Sequence, residues 1–431
     1  MNTCVIGTNR SQRSASMVGV ILVIWFVMSF LTNILGPLIP DIVSTFKISL
    51  AAAAMLPFAF FIAYGLLSIP AGFFVQRWRE KKVILWCFLI ALAGSLWLAS
   101  MPRYWVALAS LFLIGGSMAV LQVAINPLLR TSGGEEHFAF NSALAQLVFG
   151  SASFISPLVY VWTIAKLQQD GSRVSLAPIR LLSRLVPPGL PWVAMYWIFA
   201  VVIVIVIVPL FLLRFPAVHR TQEEDSGTLD MYKFLLRKPA VFLFFTSVFL
   251  YVGSEQGTAD WMSEFLLKYH GYNPHTVGSS AVSWFWGGLT IGCFVGMGLL
   301  KLFDSRLILR VFSGCALVCL TLALFGPAAL ARIAFPCIGL FASIMWPTII
   351  SLGLNSILEY PGPLTGILCS GIMGGACVPL LIGRLADSLG LRAGMSILYF
   401  TFGWVGAVSF WARPLIVNKT VSGTARKGTP A

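Results

Sequence analysis

Apolar stretches of about 20 residues recur along the whole chain, each long enough to cross a hydrocarbon core about 30 Å thick as a helix. Inside lipid no water satisfies backbone N–H and C=O groups, so each stretch must close its own hydrogen bonds. Helices do this, and lipid-exposed irregular chain or open strands do not. Composition points the same way: 58% of the 431 residues are hydrophobic and 10% charged, too few polar groups to cover a water-soluble globule. The expectation is an all-α polytopic membrane protein. Its helices 1 to 12 are placed at 17–40, 51–75, 83–100, 104–130, 138–164, 192–213, 239–269, 278–302, 307–325, 329–358, 363–388 and 392–412.

The formal charge of +14 would suit a nucleic-acid binder if the basic residues shared a face. They lie instead between the apolar stretches, so no nucleic-acid partner is expected. With twelve spans and a cytoplasmic N-terminus, nineteen of the 29 Lys and Arg fall on the inner side, and four of the rest (Lys166, Arg173, Arg180, Arg184) share one long outer segment. By the positive-inside rule, both termini are expected in the cytoplasm of a cell whose inner, plasma membrane the chain spans. Cys87, Cys293, Cys315, Cys319, Cys337, Cys369 and Cys377 lie within apolar spans as small hydrophobes, and no structural disulfide is expected. The first apolar run continues to full spanning length with no small-residue cleavage site, so helix 1 is expected to be its own insertion signal.

Residues 214–238 (RFPAVHRTQEEDSGTLDMYKFLLRK) form the longest stretch of mixed charge. They divide the chain into an N-terminal six-helix half (1–213), a cytoplasmic linker (214–238), a C-terminal six-helix half (239–412) and a cytoplasmic tail (413–431). The halves echo each other. Pro127 in helix 4 matches Pro347 in helix 10, and Pro157 behind Gly150 in helix 5 matches Pro379 behind Gly374 and Gly375 in helix 11. Two repeats with breakers in matching helices are the pattern of carriers that bind their cargo between repeats. In the outer segment 166–191, IRLLSRLV has helical spacing and is expected to form a short surface helix that connects or gates.

A polar side chain left unpaired within a span costs several kcal/mol, which makes each one a candidate for function. Gln122 and Asn126 are four apart in helix 4 and share a face. Asn33 in helix 1 and Asn141 and Gln146 in helix 5 are further candidates, and each could instead make only an interhelical hydrogen bond. Helix 7 is the most unusual span, with Glu255, Gln256, Asp260 and Glu264 within ten residues. Asp260 and Glu264, nearer the outer end, could equally be solvated residues of a mouth. No metal-ligand cluster, nucleophile motif or phosphate loop appears. The four histidines (His137, His219, His270, His275) stand at helix ends or in loops, so neither an enzyme nor a cofactor is expected. A membrane sensor would need a soluble output module, for which the linker and tails offer too little chain.

The residues resemble a known family. INP at Ile125–Pro127, GGEEHFAFN ending at Asn141, YVGSE at Tyr251–Glu255, WPTIISLGL at Trp346–Leu354 and GGACVPLLIGRLAD at Gly374–Asp387 follow in order over nearly the whole chain. Together they resemble the fucose and glucose/galactose permease branch of the major facilitator superfamily. The resemblance implies the major facilitator fold and a monomer in lipid carrying a hexose or deoxyhexose by alternating access. Amides that both donate and accept, at Asn33, Gln122, Asn126, Asn141, Gln146 and Gln256, suit sugar hydroxyls. Glu255 is the strongest site candidate because it lies in YVGxE. Trp261, Trp284, Trp286 and Trp346 are candidates for stacking on a sugar ring, with Trp346 favoured.

Two departures from the family pattern matter. The loop GFFVQRWREKK from Gly72 resembles the superfamily's G-x-x-x-D-R-x-G-R-R signature, with Gln76 where the aspartate stands, which weakens the latch that acid provides. The carboxylates that take up protons in coupled relatives fall here on Gly36 and Gln122, neither of which titrates. The expectation is therefore a facilitator, or coupling through Glu255 or Asp260 of helix 7. The alternatives are a proton-coupled sugar symporter and an exporter of drug-like or organic-anion solutes.

Overall fold

In the computed structural model of the chain, residues 15–78, 80–133, 138–168, 177–213, 229–357 and 359–412 are described. Twelve helices are long and apolar enough to span: Ser16–Phe46, Leu50–Ala71, Glu80–Ser100, Tyr104–Ile125, Leu144–Leu167, Pro191–Leu212, Pro239–His270, Pro274–Leu300, Ser305–Phe325, Ala328–Ser356, Pro363–Leu389 and Leu391–Trp411. They agree with the expected helices 1 to 12 to within a few residues, except that helix 1 passes through Pro40 and ends at Phe46, before Lys47 with φ 50°. Membrane helices tolerate an internal proline because neighbouring groups satisfy the freed carbonyl. The IRLLSRLV stretch lies in a short helix, Ala177–Leu185, which buries Ile179.

The matched prolines do not break matched helices. Helix 4 continues unbroken to Gly133 and helix 5 from Phe138 to Gln168. Helix 10 is interrupted between Ala342 and Met345, and helix 11 tightens into a 3-10 turn at Gly371–Met373. The interruption in helix 10 follows from Pro347, which has no N–H for the carbonyl four residues back, that of Ser343. The thiol of Cys293 in helix 8 donates to that carbonyl at 3.5 Å instead. Helix 1 is interrupted in the same way between Thr32 and Leu35, ahead of Pro37, which has no N–H for the carbonyl of Asn33 four residues back.

Helices approach most closely where glycine removes the side chain. A Cβ at Gly115 in helix 4 would run into the Phe60 carbonyl of helix 2, and one at Gly339 in helix 10 into the Phe285 carbonyl of helix 8. Corresponding helices of the two halves thus cross in the same way. Helices 3, 6, 9 and 12 lie outermost, with Trp86, Ile205, Val318 and Phe410 at least 60% exposed on lipid-facing surfaces.

At one end, the distal end, polar groups tie the first six spans to the last six. The two carboxylate oxygens of Asp387 in helix 11 accept the N–H groups of Leu50 (2.8 Å) and Ala51 (2.9 Å) at the start of helix 2. His275, opening helix 8, pairs with Asp41 of helix 1 at 3.3 Å, and the Tyr160 hydroxyl donates to the same carboxylate. Gly36 of helix 1 lies on helix 7, where a Cβ would run into the Ala259 carbonyl and stand 3.3 Å from the Asp260 Cα. At the opposite end the ties join neighbours within one half: Lys81 donates to the Phe211 carbonyl at 2.9 Å, and Lys238 to Glu359 at 2.6 Å. The hydrogen bond from Lys238 holds the Glu359 carboxyl below its ordinary range.

Candidate functional site

A cavity of about 180 Å³ lies between the two sets of six helices at the level of the breaks in helices 1 and 10. Helices 1, 2, 4, 5, 7, 8, 10 and 11 line it, and among the described residues helices 3, 6, 9 and 12 supply none. Helix periodicity selects the lining residues. Trp25, Thr32 and Asn33 project from one face of helix 1, and Tyr251, Glu255 and Gln256 from one face of helix 7.

Seven of the sequence candidates meet here: Asn33, Gln122, Gln146, Glu255, Gln256, Trp286 and Trp346. Asn33 is 5% exposed; its amide nitrogen donates to Ser153 of helix 5 at 2.8 Å, while its Oδ1 has no partner. Gln122 and Gln146 bring two amides from helices 4 and 5, facing the carboxylate and amide of helix 7. The Tyr251 ring lies 6.2 Å from that of Trp346, so an aromatic pair stands beside Glu255. Trp25 and Trp286 add two further indoles, each with an unpartnered Nε1. A flat apolar ring beside convergent donors and acceptors can hold a small, polyhydroxylated molecule by face and by edge.

Other candidates lie elsewhere. Asn141 is buried near the start of helix 5 and does not line the cavity, and the side chain of Asn126 lies outside the described residues, as does that of Gln76. Asp260 (3% exposed) and Glu264 (8%) are buried in this conformation and are not solvated mouth residues in it; helix 1 lies against Asp260 through Gly36. Asp260 does not reach the cavity, and its Oδ2 has no hydrogen-bond partner. Of the tryptophans, Trp261 is buried against helix 11, its Nε1 donating to the Pro379 carbonyl, and Trp284 faces outward.

Sequence reasoning missed Trp25, Thr32, Tyr64, Tyr251 and Ser343 in the cavity wall. Tyr251 and Ser343 carried a usable signal, since each stands four residues before a candidate or breaker, Glu255 and Pro347, and so shares its face. Tyr64 of helix 2 carried none. At the distal end, His275, read as a helix-end or loop residue, is the partner of Asp41.

Among the described residues, twelve helices long and apolar enough to span a membrane surround a central cavity lined from the first six and the last six, the build of a polytopic membrane carrier. The sequence pattern of the Major Facilitator Superfamily matches residues 21–368, and the chain belongs to that superfamily. It is similar to the glucose/galactose transporter of Brucella abortus biovar 1 (strain 9-941), 29% identical over 385 residues that cover 86% of this chain and 87% of that one. It is also similar to the L-fucose-proton symporter of Escherichia coli (strain K12), 25% identical over 387 residues, 85% of this chain and 86% of that one. Two solved structures share the fold. The transporter FucP in its outward conformation has TM-score 0.66 at 20% identity, covering 92% and 98% of the two chains. An inward-facing bacterial homolog of the human lysosomal transporter Spinster has TM-score 0.75 at 15% identity, covering 94% and 98%.

Proposed function

We propose that the chain carries a hexose or deoxyhexose across the plasma membrane by alternating access, its two six-helix halves rocking about the central cavity. The observation that carries this reading is the convergence of Gln122, Gln146, Glu255 and Gln256 with Trp346 and Tyr251 in one cavity. The names of the relatives supply the sugar. The cavity, about 180 Å³, is smaller than the roughly 300–1,000 Å³ usual for drug-sized ligands, and its amides disfavour an exporter of greasy solutes.

Gln122→Ala is expected to weaken sugar binding by about 1 to 3 kcal/mol, because a buried partner of a sugar hydroxyl is lost. Asn126→Ala is expected to act in the same direction. Binding of labelled hexoses to purified protein measures this, and unchanged affinity in both variants, with the protein intact, rules out the assigned site.

In this reading the distal end faces outward, so the conformation described is closed to the outside by the Asp387 and Asp41–His275 ties. An impermeant thiol reagent applied from outside is expected to label cysteines introduced between 168 and 184 and not those between 221 and 228. The reverse pattern inverts the orientation.

A further inference from the structure

Helices 8 and 10 touch at Gly288, where a Cβ would stand 3.1 Å from the Pro336 carbonyl oxygen and 3.2 Å from the Leu340 nitrogen. From that crossing towards the distal end a groove of about 650 Å³ runs between them, separate from the central cavity. Trp284 (55% exposed) and Ile333 (56%) face outward in its walls, so the groove is presented to lipid. Its two ends differ in chemistry.

At the distal end stands Arg332, in the fifth position of the helix that begins at Ala328. The N-terminal end of a helix already carries partial positive charge, so a cation there is unfavourable unless an anion joins it. No described carboxylate pairs with Arg332, and the Ser280 hydroxyl lines the same part of the groove. The arginine stem is long enough to hold its guanidinium at headgroup level. The rest of the groove is apolar. From Thr276 to Gly288 it follows twelve residues of helix 8, about 18 Å at 1.5 Å per residue, close to the roughly 15 Å of one leaflet's hydrocarbon.

A cation at headgroup level that continues into an apolar trough one leaflet deep matches an amphiphile with an anionic head. We propose that this groove binds an anionic phospholipid of the distal leaflet, its phosphate on Arg332 and Ser280 and one acyl chain lying along Ala281, Trp284 and Pro336 down to Gly288. The occupied groove wedges helix 8 against helix 10, the helix whose inner part carries Trp346 to the central cavity.

The test is native mass spectrometry and thermal unfolding of the full chain in detergent, titrated with dioleoyl phosphatidylglycerol or dioleoyl phosphatidylcholine. The expected result is a one-to-one adduct and a raised unfolding midpoint with phosphatidylglycerol at concentrations where phosphatidylcholine has little effect. Arg332→Gln is expected to bind phosphatidylglycerol about tenfold more weakly, the loss of roughly one charge-assisted contact. Arg103→Gln, which removes another exposed distal cation, is expected to leave it unchanged. Dihexanoyl phosphatidylglycerol, with the same head and short chains, is expected to bind poorly. Equal binding by wild type and Arg332→Gln, or an equal loss in Arg103→Gln, overturns the site. Inorganic phosphate reproducing the full shift reduces it to an anion site without a lipid chain and also overturns the proposal.

Discussion

A valine in place of Gly36 is expected to abolish sugar uptake while the protein remains folded in the membrane. The side chain would enter the contact between helices 1 and 7, against the Ala259 carbonyl and the Asp260 Cα, which are backbone atoms with little freedom to give way. Overpacking of this kind costs about 1 to 3 kcal/mol, sometimes more. In alternating access the cost falls on one state alone, because the two halves separate at the distal end when the carrier opens there. A bias of 1 to 3 kcal/mol shifts the balance of the two states by about 5- to 150-fold towards the distally open one. Distal cysteines introduced near Asp41 or His275 should then react faster with impermeant reagents, and uptake should fall with that gain. Gly19→Val, at a site with no atoms within 4 Å of its Cβ, is expected to be silent. Uptake by Gly36→Val within twofold of wild type, or unchanged distal accessibility, would show that the contact does not control the conformational balance.

Sealed vesicles containing the protein are expected to equilibrate sugar without accumulating it, under an imposed proton gradient and then under a sodium gradient. A symporter needs a group whose occupancy by proton or ion differs between its two states, since only differential affinity drives coupling. Gly36 and Gln122 supply none. Helix 7 holds the two acids on which coupling would rest if accumulation did appear. Glu255 stands in the cavity where cargo would lie. Asp260 is sealed beside Gly36 without a partner for Oδ2, where a carboxylate costs several kcal/mol and gains solvent when helices 1 and 7 part. Accumulation lost in Glu255→Gln or Asp260→Asn, with equilibration retained, assigns coupling to that acid. Proton-driven accumulation that survives both substitutions defeats the passive reading and the helix 7 reading together.

The spans were legible because lipid reduces much of the folding problem to one dimension. A segment is a membrane helix when it is long and apolar enough, which residues 191 to 212 state as clearly as any structure does. The short helix from Ala177 to Leu185 was legible for the same reason, its periodicity being local. The site was legible only in part. Glu255 and Gln256 stood out as polar groups in an apolar run, but Asp260, from the same run, turns away from the cavity. That difference depends on the rotation of helix 7 against helices 1 and 11, which hydropathy does not encode.

Twelve apolar spans, the mixed-charge segment between the sixth and seventh, and a surplus of polar groups within helices 1, 4, 5 and 7 follow from residue order alone, since each is a property of a segment in its solvent. The tertiary structure decided which polar groups share a cavity, and it sealed the distal end. Asp387 reaches Leu50 across 337 residues of chain, and Asp41 finds His275 on the far side of the linker. It also turned the absence of a side chain at Gly36 into close contact between helices 1 and 7. These pairings are set by how helices cross and rotate against one another, a balance of van der Waals contact and hydrogen bonding summed over many partners, and no single segment contains it.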